Sequence, residues 1–139
     1  MTVRIRFAEI ETGEEIPPLE KHPSTRQLVM WAGASGDFNP IHFDKDFALA
    51  KGLPGVIVHG QLALAFLGQM VTDWLGNSGE LARISVSYKG MNFPGEAITC
   101  RGVVKNKSEG AREVTLEVWA ENPRGEKTVA GTAVARLLK

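Results

Sequence analysis

Gly60-Gln61-Leu62-Ala63-Leu64-Ala65-Phe66-Leu67-Gly68-Gln69-Met70-Val71-Thr72-Asp73-Trp74 is the most apolar run in the chain. As a helix, it places apolar side chains on nearly every side. A helix of that kind is normally surrounded by protein. It is too short to cross a bilayer, which needs roughly 18–20 apolar residues. What surrounds it lies downstream. Arg83 to Lys89, Ala97 to Lys107, Arg112 to Glu121 and Lys127 to Leu138 alternate apolar and polar residues and are rich in Val, Ile and Thr. That is the period of half-buried strands. Asn92 to Gly95, Ser108 to Gly110 and Asn122 to Gly125 are turn clusters, and the last two suggest hairpins. The pattern predicts an antiparallel meander packed on the apolar helix, an α+β architecture.

Upstream, the segment through Ile10 predicts a short strand or an arm. Ile16 to His22 can be extended, and Pro17 and Pro18 confine it to an edge or a strand start. Ser24 or Thr25 can cap a helix that buries Leu28, Trp31 and Ala32 and ends near Gly33 to Gly36. A turn-rich stretch runs from Asp37 to Pro40. Asp44 is placed to cap a short helix through Phe47, Ala48 and Leu49, which Gly52 and Pro54 close. There is no repeat or flexible linker, so residues 1–139 read as a single domain.

The totals narrow the function classes. The 139 residues are 43% hydrophobic and 23% charged, and 16 basic residues balance 16 acidic ones. A nucleic-acid binder usually shows a basic excess or stripe, and none appears. Zero net charge removes self-repulsion between copies and suits an oligomer. Cys100 is the one cysteine, so no intrachain disulfide can form. Its alternating surroundings predict a buried, inert strand thiol. With no membrane span and no signal pattern, a cytoplasmic location is expected.

The densest polar constellation is Ser35-Gly36-Asp37-Phe38-Asn39-Pro40-Ile41-His42. Asp37 and His42 sit across a loop containing Gly and Pro. A carboxylate and an imidazole brought together there make an acid/base pair, because histidine titrates near neutral pH and a carboxylate can hold its tautomer or share a water. Asp37 and Asn39 also read as plain turn residues, and His42 as a structural histidine. Val58-His59-Gly60 precedes the apolar helix, whose first N–H groups are free and carry partial positive charge. Glycine there lets a ligand approach the backbone. The Gly60 N–H could donate to a ligand's carbonyl oxygen as charge builds on it. The alternative is a simple glycine cap, and His59 reads more readily as structural than catalytic. The three histidines and one cysteine lack metal-ligand spacing. No glycine-rich phosphate loop is present, so no cofactor is indicated.

Ala34 to Ala48, with Ser-Gly-Asp-Phe-Asn-Pro-Ile-His and then alanine six residues after His42, resembles the signature of MaoC-like (R)-specific enoyl-CoA hydratases. Val58-His59-Gly60 is similar to the family's second landmark, and Pro94-Gly95-Glu96 to the turn before its later strands. The resemblance runs from about Phe7 to Leu138. It implies a hot-dog fold, in which a curved antiparallel sheet wraps a long central helix. It also implies assembly as a homodimer, with a heterodimer or a higher oligomer as alternatives, and acyl-CoA or acyl-ACP thioester as substrate. Asp37 and His42 would be the catalytic pair, the Gly60 N–H part of the oxyanion hole, and Asn39 the residue that orients the loop or water. Gln61, Ala65 and His59 would line or neighbour the acyl site. Three positions depart from the family pattern. Trp31 stands where Tyr or Phe is common, Gln61 where Met is frequent, and Ala65 where many hydratases have serine. The implied reaction is reversible hydration of a trans-2-enoyl thioester. The competing readings are a thioesterase on the same fold and a non-catalytic acyl-binding subunit.

Overall fold

The computed structural model describes residues 4–138. Three helices and five strands follow the order β1 (Glu15–Lys21), α1 (Thr25–Ser35), α2 (Lys45–Ala50), α3 (Gly60–Leu75), β2 (Gly79–Tyr88), β3 (Ile98–Ser108), β4 (Glu113–Glu121) and β5 (Lys127–Leu137). The strands form one antiparallel sheet in the order β1-β3-β4-β5-β2. The two expected hairpins are present as β3–β4 and β4–β5. The expected meander is incomplete, because β2 pairs with β5 at the far edge instead of with β3. The chain therefore crosses the whole sheet between β2 and β3.

Local chemistry sets the element ends. The Ser24 hydroxyl accepts from the Gln27 N–H and starts α1, and an Asp44 carboxylate oxygen accepts from the Phe47 N–H and starts α2. Pro17 and Pro18 fall in edge strand β1, where the pairing with β3 shifts register between Ile16 and Leu19. A proline has no N–H for the ladder, so this irregularity at an edge is its physical consequence. The N-terminal segment is an arm with a 3-10 turn at Phe7–Glu9, and no strand occurs in residues 4–10. The Ile5 N–H is held by the Ser78 hydroxyl instead of by a strand partner.

The core lies between α3 and the concave sheet face. Leu62, Phe66, Leu67, Met70 and Val71 of α3 pack over Val104, Leu116, Val118 and Ala133, all buried. Strand β4 shows the cause in its simplest form: Val114, Leu116, Val118 and Ala120 are buried, and the residues between them are not. Cys100 is buried as expected, and burial pushes its thiol up to about 12.

One expectation for α3 needs correction. A single five-stranded sheet covers one side of a helix, and in this chain α3 keeps an exposed stripe at Gln61, Ala65 and Gln69, each four residues from the next. None of the described helices is long and apolar enough to cross a membrane.

Candidate active site

Helix α1 ends at Gly36, which adopts a left-handed conformation (φ +80°) and returns its N–H to the Ala32 carbonyl. That turn, which favours glycine, reverses the chain into Asp37. Three side-chain oxygens then brace the loop in succession. The Ser35 hydroxyl accepts from the Asp37 N–H, Asp37 Oδ1 from the Asn39 N–H, and Asn39 Oδ1 from the Ile41 N–H. Pro40 opens the 3-10 turn Pro40–His42. The first carboxylate oxygen of Asp37 is thus occupied by the backbone. The second, Oδ2, faces His42 Nε2 at 3.7 Å.

His42 is almost fully buried (side chain 8% exposed), whereas Asp37 is 40% exposed. The other ring nitrogen, Nδ1, lies 2.7 Å from the Ile57 carbonyl. A carbonyl only accepts, so Nδ1 carries the proton and the neutral ring presents a lone pair at Nε2. The loop is tied to the approach to α3, since the Ile57 N–H donates to the Ile41 carbonyl and the Val58 N–H to the Asn92 carbonyl.

His59 is fully buried. Its ring stacks on His42 with centroids 3.8 Å apart and planes 19° from parallel. Its Nε2 donates to the Asp37 carbonyl at 3.3 Å, and its Nδ1 is buried without a partner among the described residues. Burial, and next the charge that His42 can carry, hold the His59 imidazole below its ordinary range, against the upward pull of Asp37. His59 is therefore neutral.

Asp37, His42 and His59 each offer a ligand atom, all within 4.8 Å of one another. The arrangement does not suit a metal ion. Lone pairs lie in the ring planes, and those of two nearly parallel rings run side by side instead of converging. His59 Nε2 is also committed to the Asp37 carbonyl.

A cleft of about 360 Å³ opens at this point, lined by Asp37, His42, Ile57, Val58, Gly60, Gln61, Tyr88, Gly90, Met91, Asn92 and Val129. Gly60 begins α3. No side chain caps this helix, and no acceptor takes the Gly60 N–H among the described residues. A Cβ built on Gly60 would lie 2.8 Å from Tyr88 Cε1, so the absent side chain is what lets the ring and the cleft reach the helix end. Of the sequence-predicted residues, Asp37, His42, Gly60 and Gln61 line the cleft. Asn39 braces the loop behind Asp37. His59 and Ala65 do not line the cleft in this chain, and Ala65 lies on the exposed stripe of α3.

Sequence reasoning missed Tyr88, Met91, Asn92 and Val129. Asn92 is buried, and its Oδ1 accepts from the Thr128 hydroxyl at 3.0 Å. The available signal was the end of the alternation at Lys89, followed by an apolar residue, Met91, immediately before the turn cluster Asn92 to Gly95.

Residues 8–122 match the MaoC-like domain family. The (R)-specific enoyl-CoA hydratase of Aeromonas caviae is 29% identical over 129 residues, covering 92% of this chain and 96% of that protein. A solved (R)-hydratase from A. caviae superposes with a TM-score of 0.88 at 28% identity, over 94% of this chain and 98% of the other. The fatty acid synthase beta subunit TOXC of Cochliobolus carbonum is 32% identical over 80% of this chain. The chain spans only 5% of the length of that synthase subunit. The fold is the hot-dog arrangement of a central helix and an antiparallel sheet. With the family match extending over most of its length, the chain belongs to the MaoC-like domain family of hydratases and dehydratases.

Proposed function

We propose that this chain catalyses reversible hydration of a trans-2-enoyl thioester to the (R)-3-hydroxyacyl thioester. The observation that carries the reading is the 3.7 Å gap between Asp37 Oδ2 and His42 Nε2, beside the uncapped Gly60 N–H. Such a separation is too long for a direct hydrogen bond and suits one bridging water. With Nδ1 protonated, both facing atoms accept, so they take the two hydrogens of a water and leave its oxygen lone pair toward the cleft. The oxygen adds to C3 of the enoyl group as the pair removes a proton. The electrons move through C2 onto the thioester oxygen, where the Gly60 N–H donates. A proton then returns from the pair to C2 on the same face, completing the addition of H and OH. Asn39 keeps the Asp37 carboxylate in place through its N–H.

The acyl chain would lie against Tyr88, Met91 and Val129, with Gln61 at the mouth. The thioester is carried by CoA or an acyl carrier protein. A dimer fits the surfaces left open: β2 is an edge strand ten residues long with no strand on its outer side among the described residues, and α3 keeps its exposed stripe. Edges of that kind invite pairing with another chain. Ala65, on that stripe, would reach an acyl site only across such an interface. The A. caviae hydratase, similar over nearly its whole length, supports the reaction class.

The test is loss of enoyl absorbance from trans-2-enoyl-CoA substrates by the purified chain, with a thiol-trapping dye present and chiral analysis of the product. An (R)-3-hydroxyacyl product without thiol release is expected. Thiol release would identify a thioesterase instead. No reaction from the chain alone, with activity restored by a sibling subunit, would identify a supporting role.

A further inference from the structure

We propose that His59 is a positioning residue that holds both members of the pair, His42 through its ring face and Asp37 through its Nε2–H. The inference rests on the reading of Asp37 and His42 as the acid/base pair. His59 does not line the cleft, so it is placed to act through its neighbours instead of on a substrate. Its Nδ1 is buried without a partner among the described residues. An unpaired buried polar atom is costly, and an apolar ring of similar shape would avoid that cost. The contacts on the rest of the ring are what a phenyl group could not supply in full.

Those contacts reach both members of the pair. His42 has one edge bond, from Nδ1 to the Ile57 carbonyl. A ring held at one edge can pivot about that bond, and a second ring stacked at 3.8 Å blocks the pivot. Asp37 sits on an exposed loop, and the His59 Nε2–H fixes its carbonyl from the buried side. Asp37 and His42 are the titratable groups that act on His59, and burial keeps His59 neutral between them. A neutral ring can stay stacked on His42 while His42 takes up a proton.

Three variants separate the contacts. His59→Phe keeps the ring face and loses the donor. His59→Gln keeps a donor and loses the ring face. His59→Ala loses both. Two quantities are read: kcat and KM on trans-2-enoyl-CoA, and the ring 15N shifts of His42 in substrate-free protein. The wild type should show one His42 tautomer, protonated at Nδ1. His59→Ala should show mixed tautomers and a kcat lower by about 100-fold at nearly unchanged KM, the scale of a misplacement of about 1 Å. Phe and Gln should each recover part of the loss, and both are close enough in volume to decide the matter if the alanine variant does not fold. Folded variants whose His42 resonances match wild type would overturn the inference, whatever their turnover. If the wild-type chain hydrates no enoyl thioester, the reading of the pair fails, and the ring nitrogens still report whether His59 positions His42.

Discussion

The two ends of α3 are finished in opposite ways. At the C-terminal end the Gly76 N–H closes on the Thr72 carbonyl. Leu75 is buried, and buried Ser78 takes the Ile5 N–H on its hydroxyl and the Leu138 N–H on its carbonyl. Every polar group named there is used to shut the fold. At the N-terminal end no side chain caps the helix, and three buried polar residues, His42, His59 and Asn92, gather beside a cleft. Asp37, His42 and Gly60 line that cleft, with Asp37 Oδ2 and His42 Nε2 3.7 Å apart. Polar burial thus closes the fold at one end and lines a cleft at the other, and on the proposed function substitutions at the two ends should move different observables.

The largest separation is expected at the pair itself. Asp37→Asn and His42→Ala should each lower kcat by about 10²–10⁴-fold, the usual range for acid/base help, with much smaller changes in KM. Asp37→Asn retains an Oδ1 acceptor for the Asn39 N–H and sits at a 40% exposed side chain, so its melting temperature should stay near wild type. Wild-type turnover in the asparagine variant would remove Asp37 from the mechanism.

Two glycine substitutions then set the open end against the sheet. At Gly60 a methyl group meets the ring of Tyr88, which is half exposed and free to swing, and it enters the cleft beside the N–H. Gly60→Ala should cost about 10–100-fold in turnover through displacement of the bound substrate. Its stability should stay near wild type, because the neighbour that must give way is the half-exposed Tyr88 side chain and not backbone. At Gly131, on β5, a Cβ would strike the Ser85 carbonyl and lie 2.7 Å from Val86 Cα on β2. Backbone cannot swing aside. Gly131→Ala should lose about 1–3 kcal/mol in denaturant unfolding, with kcat of the folded protein kept. Ser78→Ala probes the sealed end more gently. It strands the Ile5 N–H, for about 1 kcal/mol of stability and no change in turnover.

How much of this was legible in the sequence follows from the range of the interactions. Helix caps, the strand period and the Asp37–His42 loop are local, and Ser24, Asp44 and the alternation of β4 announce them directly. Pairing across the sheet is not local. Nothing in Gly79–Tyr88 itself says that it will join β5 and not β3. The cleft has the same difficulty: Asn92 and Val129 reach it only because β2 ends and β5 begins beside α3. The stacking of His59 on His42 arises from the tie between Ile41 and Ile57, which brings two separate loops together. For α3, the apolar residues account for the buried faces, and Gln61 and Gln69, eight residues apart with Ala65 midway, mark the stripe that this chain leaves open.

The smallest expected effect is in acid, and it also divides the ends. Of the three histidines, His22 is exposed beside Glu20, and the other two lie at the open end. His59 is held below its ordinary value of 6.5 in the folded chain and returns to it on unfolding. Between those two values the unfolded chain binds more protons than the folded one. Stability therefore rises with pH through that window and is lost as pH falls below about 6.5. The measurement is a comparison of melting temperature against pH for wild type and His59→Gln, whose side chain has no proton to gain. The variant's profile should be flatter just below pH 6.5. Parallel profiles would mean that the folded chain protonates His59 as readily as the unfolded one, and a neutral stacked ring could not then be what steadies His42.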